Sequence, residues 1–369
     1  MITIIESIST ANPPYCVLQN EAALSMQKVE GFSPGLRKRI PLVYSLSGID
    51  QRYTCVRDYF TGRPEEFDFF PQNWSLSPAP STGTRNKKYK ESVLPMAKEA
   101  ATKALEQSHL DAAEITHLIA VTCTGFFAPG IDIHLVKELG LPPSTARTVI
   151  GFMGCYAAFN ALRAADAICQ SQTNARVLVV CAELCSLHFQ IKDSLESVVV
   201  NAIFADGAAV AVISARTETE AQGKLAYASG HCLLDDDSMG HMNWEIGDTG
   251  FLMGLSSKVP DVLARQLPPY IDQILAKSHV KRSEIDFWAI HPGGRQIVEK
   301  AQQVLDLSEA EVADSFAVLK GYGNMSAPTI LFILKRIMER RAKGEDLRTG
   351  IALAFGPGLT IEGCLFREV

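Results

Sequence analysis

The sequence predicts an α/β protein built from two related halves, and three observations carry that reading. Short apolar stretches alternate with amphipathic, helix-like ones from residue 87 onward. Stretches such as HLIAVTC (His117–Cys123) and ARVLVVCAEL (Ala175–Leu184) are apolar almost throughout. That is the pattern of strands covered on both faces by helices. Finally, a strand, a glycine loop and a helix recur further along the chain at a nearly constant offset, which is the mark of an internal duplication.

The elements follow in order. Residues 1–85 are mixed, with turn clusters at NPP (Asn12–Pro14) and SPAPSTGT (Ser77–Thr84). Lys87–Ser108 reads as a long helix, with Pro95 expected to kink it. His117–Cys123 is a buried strand, IDIHLVKEL (Ile131–Leu139) a helix, and Ala175–Leu184 another strand. AIFADGAAVAVIS (Ala202–Ser214) reads as a strand pair or a bent strand, and GIALAFGPGLTIEGCLF (Gly350–Phe366) as one closing strand.

The repeat aligns AEITHLIAVTCTG from Ala113 with SEIDFWAIHPGG from Ser283. It then aligns TVIGFMGCYAAFNALRAADAI from Thr148 with VLKGYGNMSAPTILFILKRIM from Val318. Gly151 to Gly321 is 170 residues, Cys155 to Asn324 is 169, and Cys123 to His291 is 168. The expected division is a first half over 1–225 that carries a cysteine and a second over 226–369 that carries a histidine and an asparagine. A shared site between pseudo-symmetric halves is the simplest consequence.

Composition narrows the function classes. With 369 residues, 47% hydrophobic and 21% charged, the chain is globular and long enough for one large or two medium domains. A net charge of -6 gives no general case for nucleic acid or an anionic membrane as partner. The first fifteen residues carry Glu6 and no basic start, unlike a signal peptide. Val198–Ala215, the longest candidate span, contains Asn201 and Asp206, so no transmembrane helix is expected. Nine scattered cysteines without any CxxC suggest neither a disulfide framework nor a metal site. Reduced thiols in a cytoplasmic protein are the expectation.

Three residues carry the candidate chemistry. Cys155 follows Gly154 and precedes an alanine-rich helical run, so it is expected at a helix N-terminus, where the dipole favours thiolate over thiol. A buried structural cysteine on a tight turn is the plainer alternative. His291 ends a strand in WAIHPGG, held extended by Pro292. A loop histidine bonded to backbone would look the same. Asn324 lies in GYGNMSAP before a helix, where a simple cap is also possible. If the halves are pseudo-symmetric, the three face one cavity. They would supply a nucleophile, a proton partner and an oxyanion donor, and a Cys–His ion pair would depress the thiol pKa.

These residues bring out a resemblance. GFMGCYAAFNALR around Cys155, AIFADGAAV with Phe204, AIHPGG with His291, GYGNMSAPTILFIL with Asn324 and AFGPGLTIEG resemble the type III polyketide synthases, the chalcone synthase-like branch of the thiolase superfamily. The resemblance implies a thiolase-like fold of two pseudo-two-fold related halves in a layered α-β-α-β-α arrangement. It implies that Cys155 holds an acyl starter taken from acyl-CoA, and that His291 and Asn324 grip the thioester carbonyl of malonyl-CoA during decarboxylation. Phe204 would be the apolar gatekeeper. Cys123, Thr124, His188, Gly240 and Ser326 would face the growing chain, and Gly356, Pro357 and Gly358 would shape the cyclisation pocket. Ala128 would reach across a homodimer into the partner's cavity. No cofactor or metal is implied beyond the CoA thioester substrates. Arg37, Lys38, Arg39 and Arg52 are the candidate CoA-phosphate contacts, although Asp50 stands where plant relatives tend to carry lysine.

Three other readings remain at this point: a fatty-acid-initiating ketoacyl synthase that condenses once from a carrier protein, a cysteine hydrolase, and a non-catalytic acyl-binding protein.

Overall fold

Ile2–Ala11 (β1), in the segment the sequence left mixed, is an inner strand of the main sheet, buried along most of both faces. The computed structural model describes residues 1–369, leaving aside the side chain of Phe60. The other strands of that sheet are His117–Thr122 (β2), Ala146–Gly151 (β3), Arg176–Leu184 (β4), Asp206–Arg216 (β5), Leu225–Leu234 (β6), Phe287–Ile290 (β7), Thr349–Gly356 (β8) and Thr360–Glu368 (β9). Their spatial order is β7-β8-β9-β6-β1-β5-β4-β2-β3.

The strand directions expose the duplication. On one side β2 runs parallel to β4, β4 antiparallel to β5, and β5 antiparallel to β1. On the other side β7 runs parallel to β8, β8 antiparallel to β9, and β9 antiparallel to β6. The two series meet through one residue pairing, Ile4 with Ala226.

Three hydrophobic cores separate the layers. The middle one buries the helices Ala157–Ser171 and Pro328–Ala342 between the two halves of the sheet. Ala157, Ala158, Ala161 and Ala165 are fully buried there, and their small side chains let helix and strands approach closely. The outer cores pack the helix Thr82–Ser108 against the first half and Val259–Ser278 against the second. The expected five-layer arrangement is therefore present.

Several local expectations change. The repeat breaks before Asn324: β3 pairs with β2 in the first half, but its counterpart lies in the helix Glu309–Tyr322. Ser308 and Glu311 form a reciprocal cap that starts this helix, a signal legible in the sequence. The helix expected from Lys87 starts earlier, at Thr82, where Ser81 caps it, and continues past the exposed Pro95 to Ser108. Ala202 and Ile203 end the helix Leu195–Ile203, and the strand starts only at Asp206. The closing segment is not one strand but an antiparallel pair, β8 and β9, turned at Pro357–Leu359.

Candidate active site

The chain turns sharply between β3 and the central helix. Gly154 has φ +79, a region that side-chain-bearing residues avoid. A Cβ there would stand 2.6 Å from Pro357 Cδ. A short 3-10 turn, Gly154–Tyr156, leads into Ala157–Ser171 and presents Cys155 at the helix mouth. Cys155 is buried, and burial pushes its thiol up to about 11. The Ser326 hydroxyl and Asn324 carboxamide favour the thiolate, while the buried Glu183 opposes it. The expected depression of the thiol pKa is thus reversed here, because desolvation outweighs the helix terminus.

Asn324 is fixed from several directions. Its N–H donates to Ile203 O at 2.9 Å, and Ala205 N–H donates to Asn324 O at 2.8 Å. This bridge ties the Asn324 loop of the second half to the Phe204 loop of the first. The Asn324 Oδ1 accepts from Ser326 N–H at 2.8 Å, and Nδ2 donates to Gly293 O at 3.2 Å. One N–H of the carboxamide remains beyond that bond.

His291 follows β7, its N–H donating to Leu353 O at 2.8 Å. It is fully buried, and both ring nitrogens lack a hydrogen-bond partner among the described residues. Burial pulls the imidazole down to about 3, so it is neutral near pH 7. Thiol and imidazole are therefore both uncharged in this structure, rather than an ion pair.

A cavity of about 390 Å³ opens onto Cys155. Cys123, Thr124, His188, Phe204, Ser326 and Pro357 share its lining. His291 and Asn324, expected to face the same cavity as Cys155, are not part of this lining; Asn324 Nδ2 reaches the His291 loop at Gly293 O. His188 is no free acid or base. Its Nε2 meets Thr124 O at 2.7 Å, its Nδ1 accepts from Phe251 N–H at 2.9 Å, and its ring stacks on Phe251 at 4.2 Å. Burial holds its pKa down at about 4.

Gly356 backs the nucleophile: a Cβ there would stand 2.6 Å from Tyr156 Cδ1 and 3.5 Å from Cys155 N. Gly358 sits in the same turn, a step from the cavity-lining Pro357. Gly240 is a correction: it is exposed in the turn Asp236–His241 and does not line the cavity. The following hairpin lines it instead, through Met242, Trp244 and Met253. Ala128 is exposed on a loop and does not reach the cavity of its own chain.

The basic residues divide. Lys38 and Arg39 are exposed. Arg37 Nη2 donates to the carbonyls of Val29 and Phe32. Arg52 lines the cavity, but Nε donates to Gln19 Oε1 and Nη1 to the carbonyls of Asn201 and Phe204. Arg52 thereby braces the Phe204 loop.

Sequence reasoning missed Glu183. It is fully buried at the end of β4 and accepts from Cys123 N–H at 2.9 Å and Thr124 Oγ1 at 2.6 Å. Burial pushes its carboxyl up to about 7. An acidic residue inside the apolar run VVCAEL was the available signal. Trp244 was missed as well; its indole N–H donates to Cys123 O at 2.8 Å.

A buried cysteine at a central helix mouth, opposite an asparagine at the pseudo-symmetric mouth, defines the class: a thiolase-fold condensing enzyme. Comparison with known proteins then gives the family. Residues 2–217 match the family model described as chalcone and stilbene synthases, N-terminal domain, and residues 224–369 match the C-terminal domain of the same family. The chain is 35% identical over 368 residues to an alpha-pyrone synthesis polyketide synthase-like protein, Pks18, of Mycobacterium tuberculosis, covering 99% of this chain and 91% of that one. It is 30% identical to bisdemethoxycurcumin synthase of Oryza sativa, covering 99% and 92%. In structure it resembles PKS-I of the brown alga Ectocarpus siliculosus, with TM-score 0.95 and 36% identity over 100% of this chain and 98% of that one. The chain belongs to the chalcone and stilbene synthase family. It is a type III polyketide synthase, a CoA-dependent acyltransferase.

Proposed function

We propose that this enzyme extends an acyl starter held on Cys155 with malonyl units and cyclises the product to a pyrone, resorcinol or phloroglucinol. His291 accepts the thiol proton as the Cys155 sulfur attacks the acyl-CoA thioester. The tetrahedral intermediate collapses, leaving acyl-Cys155 and expelling CoA, whose thiolate takes that proton. Malonyl-CoA then loses CO₂, and its electrons move onto the thioester oxygen as an enolate. Imidazole and carboxamide N–H donors at that oxygen lower the barrier. The enolate carbon attacks acyl-Cys155, forming the new C–C bond and releasing the cysteine for the next round. Phe204 beside the carboxylate disfavours the charged group and so favours loss of CO₂.

One observation carries the reading: a fully buried imidazole with both nitrogens unpartnered stands in the loop that Asn324 grips through Gly293. A buried polar group left unpaired costs folding free energy, and a catalytic role is a reason for a protein to keep one. The name of the Mycobacterium tuberculosis relative supports a pyrone among the products. The site also supports homodimer formation. The edge strand β3 has its outer edge unpaired, with Val149 exposed and Ala128 on a nearby surface loop. Gel filtration at twice the chain mass is the expected result, and a monomer would refute it.

Incubation with acyl-CoA and malonyl-CoA, without carrier protein, tests the function. Mass spectrometry should detect polyketides lengthened by two or more malonyl-derived units. Free acid alone would indicate a hydrolase, and a need for carrier protein would indicate a ketoacyl synthase.

A further inference from the structure

We propose that a second cavity, which Cys155 does not line, binds the carboxylate of a small organic acid on the guanidinium of Arg85. The inference goes beyond condensation and does not depend on it. This cavity is about 460 Å³ and lies between the turn before the helix Thr82–Ser108 and the segment after His188. Phe70, Leu76, Phe189 and Gln190 line it and the first cavity alike, so the two have a common wall. Arg85 is 1% exposed, and no carboxylate pairs with it among the described residues. Its Nε donates to Pro80 O at 2.9 Å, and its Nη1 donates to the carbonyls of Leu187 and Phe189. Nη2 makes no hydrogen bond among the described residues, which leaves donors of the guanidinium unused.

Carbonyls satisfy donors but carry no net charge. A buried cation without a counter-ion is costly, and an anion that reaches it offsets that cost. The neighbouring Tyr59 phenol does not serve, because burial holds it in its neutral form. The backbone is shaped around the arginine: Gly250 has φ +108, and a Cβ there would stand 2.8 Å from Arg85 Cδ. The guanidinium lies over the Phe70 ring at 5.8 Å, which holds it at the common wall. The rest of the lining selects among anions. Leu76, Ala79, Phe189 and Ile191 give an apolar surface, which favours an acid with a short hydrocarbon body over inorganic phosphate. The exposed Glu30 in the same lining disfavours a second negative charge on the ligand. A monocarboxylate the size of butyrate meets both conditions.

Isothermal titration calorimetry of the whole chain with butyrate, malonate and inorganic phosphate tests the site. Butyrate should bind at a single site and more tightly than malonate or phosphate. Arg85→Met removes the charge while keeping an apolar stem beside Phe70, and it should weaken butyrate binding by at least about tenfold, the loss of a charge-assisted hydrogen bond. That variant also leaves the carbonyls of Leu187 and Phe189 unpaired. If it does not fold, Ala79→Trp decides alone: Ala79 is exposed at the rim of the cavity, and a tryptophan there fills the space and should weaken butyrate to a similar degree while the fold is kept. No binding by the wild-type chain, tighter binding of malonate or phosphate than of butyrate, or butyrate affinity unmoved in a folded variant would overturn the inference. None of these results bears on condensation at Cys155.

Discussion

At the scale of single residues the site works by exclusion of water. Cys155, His291 and Glu183 have no charge imposed on them by a neighbour of opposite sign. Burial is the first cause of each pKa shift, up for the thiol and carboxyl and down for the imidazole. With both thiol and imidazole neutral, proton transfer from Cys155 waits on a substrate carbonyl that draws the sulfur into attack. Cys155→Ala should therefore end condensation, and the loss of one buried sulfur should leave the denaturation midpoint nearly unchanged. His291→Ala and Asn324→Ala should each slow malonyl-CoA decarboxylation by roughly two to four powers of ten, read as CO₂ release. Near-normal rates in either variant would remove that residue from the reaction.

At the scale of elements, loops do the positioning and strands do the holding. The turn at Gly154 and the turn at Pro357 interlock, and Gly356 leaves room for the ring of Tyr156, next to Cys155. Gly154→Ala would place a side chain at a positive φ and drive its Cβ against Pro357. The backbone alone costs ~1–2 kcal/mol. The expected outcome is an unfolding free energy lowered by at least about that amount, read by chemical denaturation, together with reduced turnover as the Pro357 turn shifts. Unchanged stability and turnover would show that the turn tolerates a side chain. Asn324 illustrates the same division: it caps no helix through its side chain but is locked by a two-bond bridge to the Phe204 loop.

At the scale of the whole molecule, buried ionisable groups make stability depend on pH in opposing ways. His188 and His291 have folded pKa values of about 4 and 3, below the ~6.5 of an unfolded histidine. Between those values the unfolded state binds protons that the folded state does not, so their contribution falls as pH falls from ~6.5 through 4 to 3. Glu183 acts with the reverse sign. Its folded pKa, about 7, lies above the ordinary 4.5. The stability it adds is fully present below 4.5 and lost as pH rises through 7. Glu183→Gln should therefore lose stability relative to wild type as pH is lowered from 7 to 4.5, with a slope approaching ~1.4 kcal/mol per pH unit. Chemical denaturation across that range would read it, and a pH-independent difference would refute it.

Much of the fold was legible in the sequence, because alternating apolar strands and amphipathic helices record which faces are buried. The duplication, the buried strands β2 and β4, and the helix mouth at Cys155 all follow from local pattern. The stretch before Asn324 was misjudged because its helix depends on a cap at Ser308, far upstream of the aligned glycines. Gly240 was misplaced because the lining there is set by how a hairpin folds over His188 rather than by local sequence. Glu183 and the pKa of Cys155 were beyond local reading for one reason: both are fixed by desolvation, and desolvation depends on residues brought together from both halves. The order of residues along the chain is enough to name the reactive side chains and the elements that carry them. Their protonation, their partners and the shape of the cavity follow from packing, since each depends on distances between segments far apart in the chain.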